Sequence, residues 1–152
     1  MIIAVDFDGI CVTHEYPNIG KEIGAVPVLK WLVEQGHQLI LWTMRGDARH
    51  NKYDLGLEGD LAEAVSWFRK HDIPLYGINN NPTQSKWTQS PKAYANVYID
   101  DAALGAPLAF NKELSDRPFI DWIRVKAYIR AIEAGDILVG HTTLVEDSDA
   151  NT

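Results

Sequence analysis

The chain lacks the features that mark disulfide-bonded, membrane-spanning or repetitive proteins. Cys11 is the only cysteine in 152 residues, so no disulfide can form within the chain. That fits a reducing compartment. No apolar run approaches the ~18 residues that a membrane helix needs. Met1-Ile2-Ile3-Ala4-Val5 meets Asp6 before a signal-peptide core can form. The expectation is a cytoplasmic protein that does not engage a membrane. Positive charge is scarce too: 14 Lys and Arg face 21 Asp and Glu, a net charge of −7. An acidic chain repels phosphate backbones, which disfavours long nucleic acids as partners. No repeat, low-complexity tract or linker divides the sequence. One domain over 1–145 is expected, followed by an acidic, mobile tail at 146–152.

What remains is ordinary globular material, 46% hydrophobic and 23% charged. A chain of this length buries roughly 70% of its unfolded surface, so no metal is needed to hold it together. A metal, if bound, would serve chemistry.

Residues 2–7 (IIAVDF) form an unbroken apolar, largely β-branched run ended by Asp8-Gly9, which predicts a buried strand. Residues 11–24 read as a loop or irregular hairpin, punctuated by Pro17, Asn18, Gly20 and Gly24. A helix is predicted over 25–35, with Val26, Leu29, Leu32 and Val33 on one face. A second strand follows at 38–43 and a loop at 44–59. The next helix spans 60–70, with Asp60 as N-cap and Leu61, Val65 and Phe68 inward. Strands at 74–78 and 95–99 flank a loop at 79–91. An edge strand at 107–110 and an amphipathic helix at 117–134 complete the reading, the helix turning Phe119, Ile123, Ala127 and Ile129 to the core. Alternation of strands and helices argues for an α/β fold with a mainly parallel sheet. Such sheets bind ligands at the carboxyl ends of their strands.

Those ends carry the chemistry. The first strand ends in Asp6-Phe7-Asp8-Gly9, the second in Thr43 with Arg45 beyond, the fourth in Asp100-Asp101. Lys92 precedes the fourth strand. Carboxylates brought together raise one another's pKa, and a divalent cation removes that penalty. Oxygen-only ligands favour Mg²⁺ over zinc. Lys92 and Thr43 could then hold phosphate oxygens, and Arg45 could contact substrate phosphate. Alternate residues of a strand face one way, so Asp6 and Asp8 could serve one reacting group as nucleophile and general acid/base.

This pattern resembles the haloacid-dehalogenase-like (HAD) superfamily of phosphohydrolases. Asp6-Phe7-Asp8-Gly9-Ile10 is similar to its first motif, Thr43 to the second, Lys92 to the third and Ile99-Asp100-Asp101 to the fourth. Ile10 departs from the family's usual Thr or Val, and Lys86 competes with Lys92 for the third motif. The resemblance spans residues 1 to about 101. It implies a three-layer, Rossmann-like fold and hydrolysis of a phosphomonoester through an aspartyl-phosphate on Asp6. Asp8 would be the acid/base, and Thr43 and Lys92 would hold the phosphoryl group. Mg²⁺ would sit on the Asp6 carboxylate, the Asp8 carbonyl and Asp100 or Asp101. The gaps at 11–24 and 79–91 are too short for the family's cap domains. A capless, open site is implied, taking a small phosphorylated substrate of bulky shape or borrowing a lid from a second copy in a homo-oligomer.

Blander readings compete. Paired Asp residues are often solvated turn formers, although Asp6 lies in an apolar run where an unpaired charge is costly. A non-catalytic phosphate- or metal-binding regulatory module on the same fold is the alternative function. His14, His50 and Asn79 to Asn81 are candidates for the pocket wall, and Trp42 and Trp87 lie near the predicted rim. His37, His71 and His141 read as surface or capping residues. Cys11 has no evident base partner for nucleophilic work.

Overall fold

The Ile2–Val5 run buries nearly all of its side chains and becomes the interior strand β1, as expected of a strand apolar on both faces. The structure, a computed structural model, describes residues 1–46, 59–140 and 142. After β1 come α1 (Ala25–Glu34), β2 (Gln38–Leu41), α2 (Asp60–Lys70), β3 (Gly77–Ile78) and β4 (Val97–Ile99). They are followed by β5 (Leu108–Ala109), β6 (Phe119–Ile120) and α3 (Trp122–Glu133). The first four strands form one parallel sheet in the order β3-β2-β1-β4. This is an α/β architecture with a mainly parallel sheet. All four strands therefore point their carboxyl ends to one rim.

Pleating decides what each face does. Ile3, Val5, Leu39, Leu41 and Ile99 join α1, α2 and α3 in one buried cluster with Leu29, Leu32, Phe68, Val125 and Ile129. Ala4 and Ile40, the alternate residues, are buried outside that cluster, as are Ala93 and Ala95. The chain from β3 to β4 holds one 3₁₀ turn, Gln84–Lys86, and no α-helix. Among the described residues, then, the helices gather against one face of the sheet.

The strands are shorter than the sequence predicts: β1 and β2 stop two residues early, where Asp6-Phe7 and Trp42-Thr43 leave the ladder for the rim, whereas β3 and β4 begin later than expected. Residues 11–24 do make an irregular hairpin: Val12 bridges Glu22, and Thr13 N–H donates to the Lys21 carbonyl. Asp60 is the first residue of α2 rather than its N-cap, which is Gly59. The 107–110 edge strand exists as β5 but pairs antiparallel with β6, outside the main sheet.

The largest correction concerns the last helix. It begins at Trp122, because Phe119–Ile120 is drawn into β6 and Asp121 caps the helix by accepting from the Ile123 and Arg124 N–H groups. The inward face is Trp122, Val125 and Ile129. Ile123, expected inside, is 84% exposed, and Ala127 is exposed as well. His37, expected as a surface or capping residue, is buried with Nε2 2.9 Å from Glu133 Oε1. His50, His141, most of the 44–59 loop and the 146–152 tail lie outside the described residues.

Candidate functional site

Each parallel strand delivers residues to the rim immediately beyond its last ladder position. Asp6 follows β1, Trp42-Thr43-Met44 follow β2, Asn79 follows β3 and Asp100-Asp101-Ala102 follow β4. Together these eight residues line an open cavity of about 430 Å³. The backbone registers them: the Asp6 N–H donates to the Ile99 carbonyl and the Trp42 N–H to the Val5 carbonyl. Asn79, in a left-handed conformation at φ 49, accepts the Thr43 N–H on its side-chain oxygen at 2.8 Å.

One oxygen from each of Asp6, Asp100 and Asp101 lies within 4.8 Å of the others. All three residues are half-buried. Burial pushes the Asp6 carboxyl up to about 6, with the Asp100 and Asp101 charges adding to the rise. The Phe7 N–H and the Thr43 hydroxyl, both bonded to Asp6, restrain it. The group contains neither His nor Cys. Three oxygen donors that repel one another could hold a metal ion.

Asp8 is brought to the same rim but is held elsewhere. Arg45 grips it in a bidentate pair, Nε to Oδ2 at 2.8 Å and an Nη to Oδ1 at 2.7 Å. The same guanidinium donates to the Pro17 and Asn18 carbonyls and lies over the Phe7 and Tyr16 rings. Arg45 is only 2% exposed. Arg45 is expected to contact substrate; in the structure its Nε and both Nη atoms donate to partners within the protein. Nothing in the local sequence announces this, because Asp8 and the Pro17-Asn18 turn meet Arg45 only through the fold.

Thr43 takes its expected place in the cavity wall. Lys92 does not line the cavity. It is exposed, with Nζ 5.6 Å from the Tyr98 ring, two residues before Asp100 on β4. Lys86 is exposed on the 3₁₀ turn. Of the three asparagines, Asn79 serves the cavity, whereas Asn81 is buried and braces its own loop by bonds to Tyr94 and Thr83. Trp42 lines the cavity and Trp87 does not. Cys11 is fully buried and donates to the Asp6 carbonyl, and burial pushes its thiol well above the usual range. His14 touches Asp101, Nε2 to Oδ2 at 2.7 Å, a contact that its sequence position only hints at.

No protein-family model matches the chain, and no curated protein matches it. One solved structure is similar: a conserved protein coded by a locus from Bacteroides thetaiotaomicron, 34% identical, with a TM-score of 0.64. The match covers 87% of this chain and 91% of that one. The chain belongs to the family of that protein.

Proposed function

We propose that the protein is a Mg²⁺-dependent phosphatase of the HAD-like type, with a capless, Rossmann-like fold and a phosphomonoester substrate. The observation that carries this reading is the convergence of Asp6, Asp100 and Asp101 within 4.8 Å at the carboxyl rim of a parallel sheet. Asp6, Asp100 and Asp101 would hold the ion, with the Asp8 carbonyl as a further donor. Bound there, Mg²⁺ would neutralise negative charge on the phosphoryl oxygens.

The chain's own groups divide the remaining work. An Asp6 carboxylate oxygen attacks phosphorus while the bond to the leaving oxygen breaks, giving an aspartyl-phosphate. The leaving oxygen takes a proton from Asp8. Water then attacks phosphorus, its proton passes to Asp8, and inorganic phosphate leaves with Asp6 restored. Thr43 lines the cavity, and its hydroxyl, bonded to Asp6, would orient the phosphoryl group beside the nucleophile. Lys92, exposed with its Nζ 5.6 Å from the Tyr98 ring, would have to turn from there to hold a bound phosphate.

The Arg45 grip on both Asp8 oxygens favours a second reading. Both oxygens already accept from the guanidinium, so neither is turned toward a leaving group. A phosphate- or metal-binding regulatory module would need no proton on Asp8. Hydrolysis of an aryl phosphate separates the two. The enzyme reading expects Mg²⁺-dependent release, abolished by EDTA and reduced on the order of 10³-fold or more in Asp6→Asn. Mg²⁺ binding without hydrolysis across aryl, sugar and nucleoside phosphomonoesters would favour the module.

A further inference from the structure

The three rim carboxylates share a design. Each has one oxygen tied down by the protein. Asp6 Oδ1 accepts the Phe7 N–H at 2.7 Å, and Asp100 Oδ1 accepts the Ala102 N–H at 2.8 Å. Asp101 Oδ2 meets His14 Nε2 at 2.7 Å. The first two anchors are backbone amides within two residues, supplied by the local turn. The third is a side chain 87 residues away in sequence, carried on the hairpin that follows β1.

We propose that His14 is a positioning residue that fixes Asp101 for metal binding. The inference rests on the Mg²⁺ reading of this rim. A carboxylate that holds a metal can only accept, so in that role the contact with Asp101 would be donated by the His14 ring nitrogen. The bond at Oδ2 fixes the carboxylate's orientation and leaves it lone pairs for an ion. Partners of this kind orient ligands and set metal affinity without touching the metal.

Packing makes the arrangement specific. Gly9 adopts φ +81, and a Cβ there would fall 2.1 Å from His14 Nε2 and 2.8 Å from Asp101 Oδ2. The imidazole and carboxylate thus occupy space that only glycine leaves open. Both side chains are largely covered, 13% and 19% exposed. The hairpin is itself held in place: the Ile120 N–H donates to the Gly9 carbonyl, and the Trp122 indole to the Ile10 carbonyl.

Calorimetric titration of the full chain with MgCl₂ tests the role. His14→Ala is expected to weaken Mg²⁺ about 10- to 100-fold, and His14→Gln, which restores a donor near the Nε2 position, to recover most of it. Asp101→Asn should lose a comparable factor, and the double variant should lose little more than either single one. If His14→Ala fails to fold, His14→Phe against His14→Gln decides, because Phe keeps the ring on Gly9 and removes the donor. Wild-type binding undiminished in His14→Ala or His14→Phe overturns the positioning role and leaves the metal reading standing. Equal loss in His14→Gln and His14→Phe also overturns it. Absence of Mg²⁺ binding in the wild type overturns the metal reading, and the positioning role with it.

Discussion

Asp6 pays an electrostatic penalty in the folded chain, and that penalty is measurable. Its carboxyl titrates near 3.8 when unperturbed and at about 6 in the fold, chiefly through burial. Its contribution to stability is therefore fully present below about pH 4 and lost as pH rises through 6. Above that the ionised group costs about 3 kcal/mol relative to a neutral isostere. In EDTA, Asp6→Asn is expected to melt higher than wild type at about pH 7.5 and to match it near pH 4. Mg²⁺ should then raise the wild type and leave the variant unmoved. Thermal melts across pH check both, and a variant no more stable at neutral pH would contradict the burial. Arg45 is the opposite case, a buried cation that is well partnered. Arg45→Ala leaves the largely covered Asp8 without its ion pair and should cost about 3–5 kcal/mol in urea unfolding. A loss under 1 kcal/mol would show that water takes over the pairing.

These residues were unequally legible. Asp6, Thr43, Asp100 and Asp101 could be placed at the rim because each closes an apolar strand run, so local pattern alone located them. The partners of Arg45 and Asp101 depend on a hairpin and a strand end far apart in sequence. Their types are visible in the sequence, and their pairing is not.

Among the elements, α1 and α2 follow directly from periodicity, while α3 shows where periodicity misleads. Phe119, Ile123 and Ala127 are spaced four apart and imitate a helical face. The pairing of β5 with β6 and the Asp121 cap take Phe119 out of the helix and move the buried stripe to Trp122, Val125 and Ile129. Ile129→Ala should accordingly cost about 2–5 kcal/mol, whereas Ile123→Ala should stay within about 0.5 kcal/mol. Denaturant midpoints of the two variants decide between the faces, and the reverse order would restore the face read from sequence. The same elements steady the site, since β6 and α3 bond directly to the Gly9 and Ile10 carbonyls.

For the whole molecule, the parallel sheet makes the site possible by turning every carboxyl end to one rim. Alternating elements made that much legible from the sequence. The 79–91 loop between β3 and β4 was legible as well, and it holds one 3₁₀ turn; which face of the sheet the helices cover was not, because that depends on how the crossovers wind and not on local pattern. No helix among the described residues is long and apolar enough to cross a membrane. The cavity itself is open, and Met44 on its wall is fully exposed, so under the proposed function a substrate would have room beyond its phosphoryl group.

The central claim is that Asp6 takes the phosphoryl group. The most direct measurement is to quench the protein during turnover of an aryl phosphate in Mg²⁺, reduce any acyl phosphate with borohydride and locate the product by peptide mass spectrometry. The account predicts Mg²⁺-dependent conversion of Asp6 to homoserine, absent in Asp6→Asn. Conversion at Asp8, or turnover with Asp6 never modified, would contradict it.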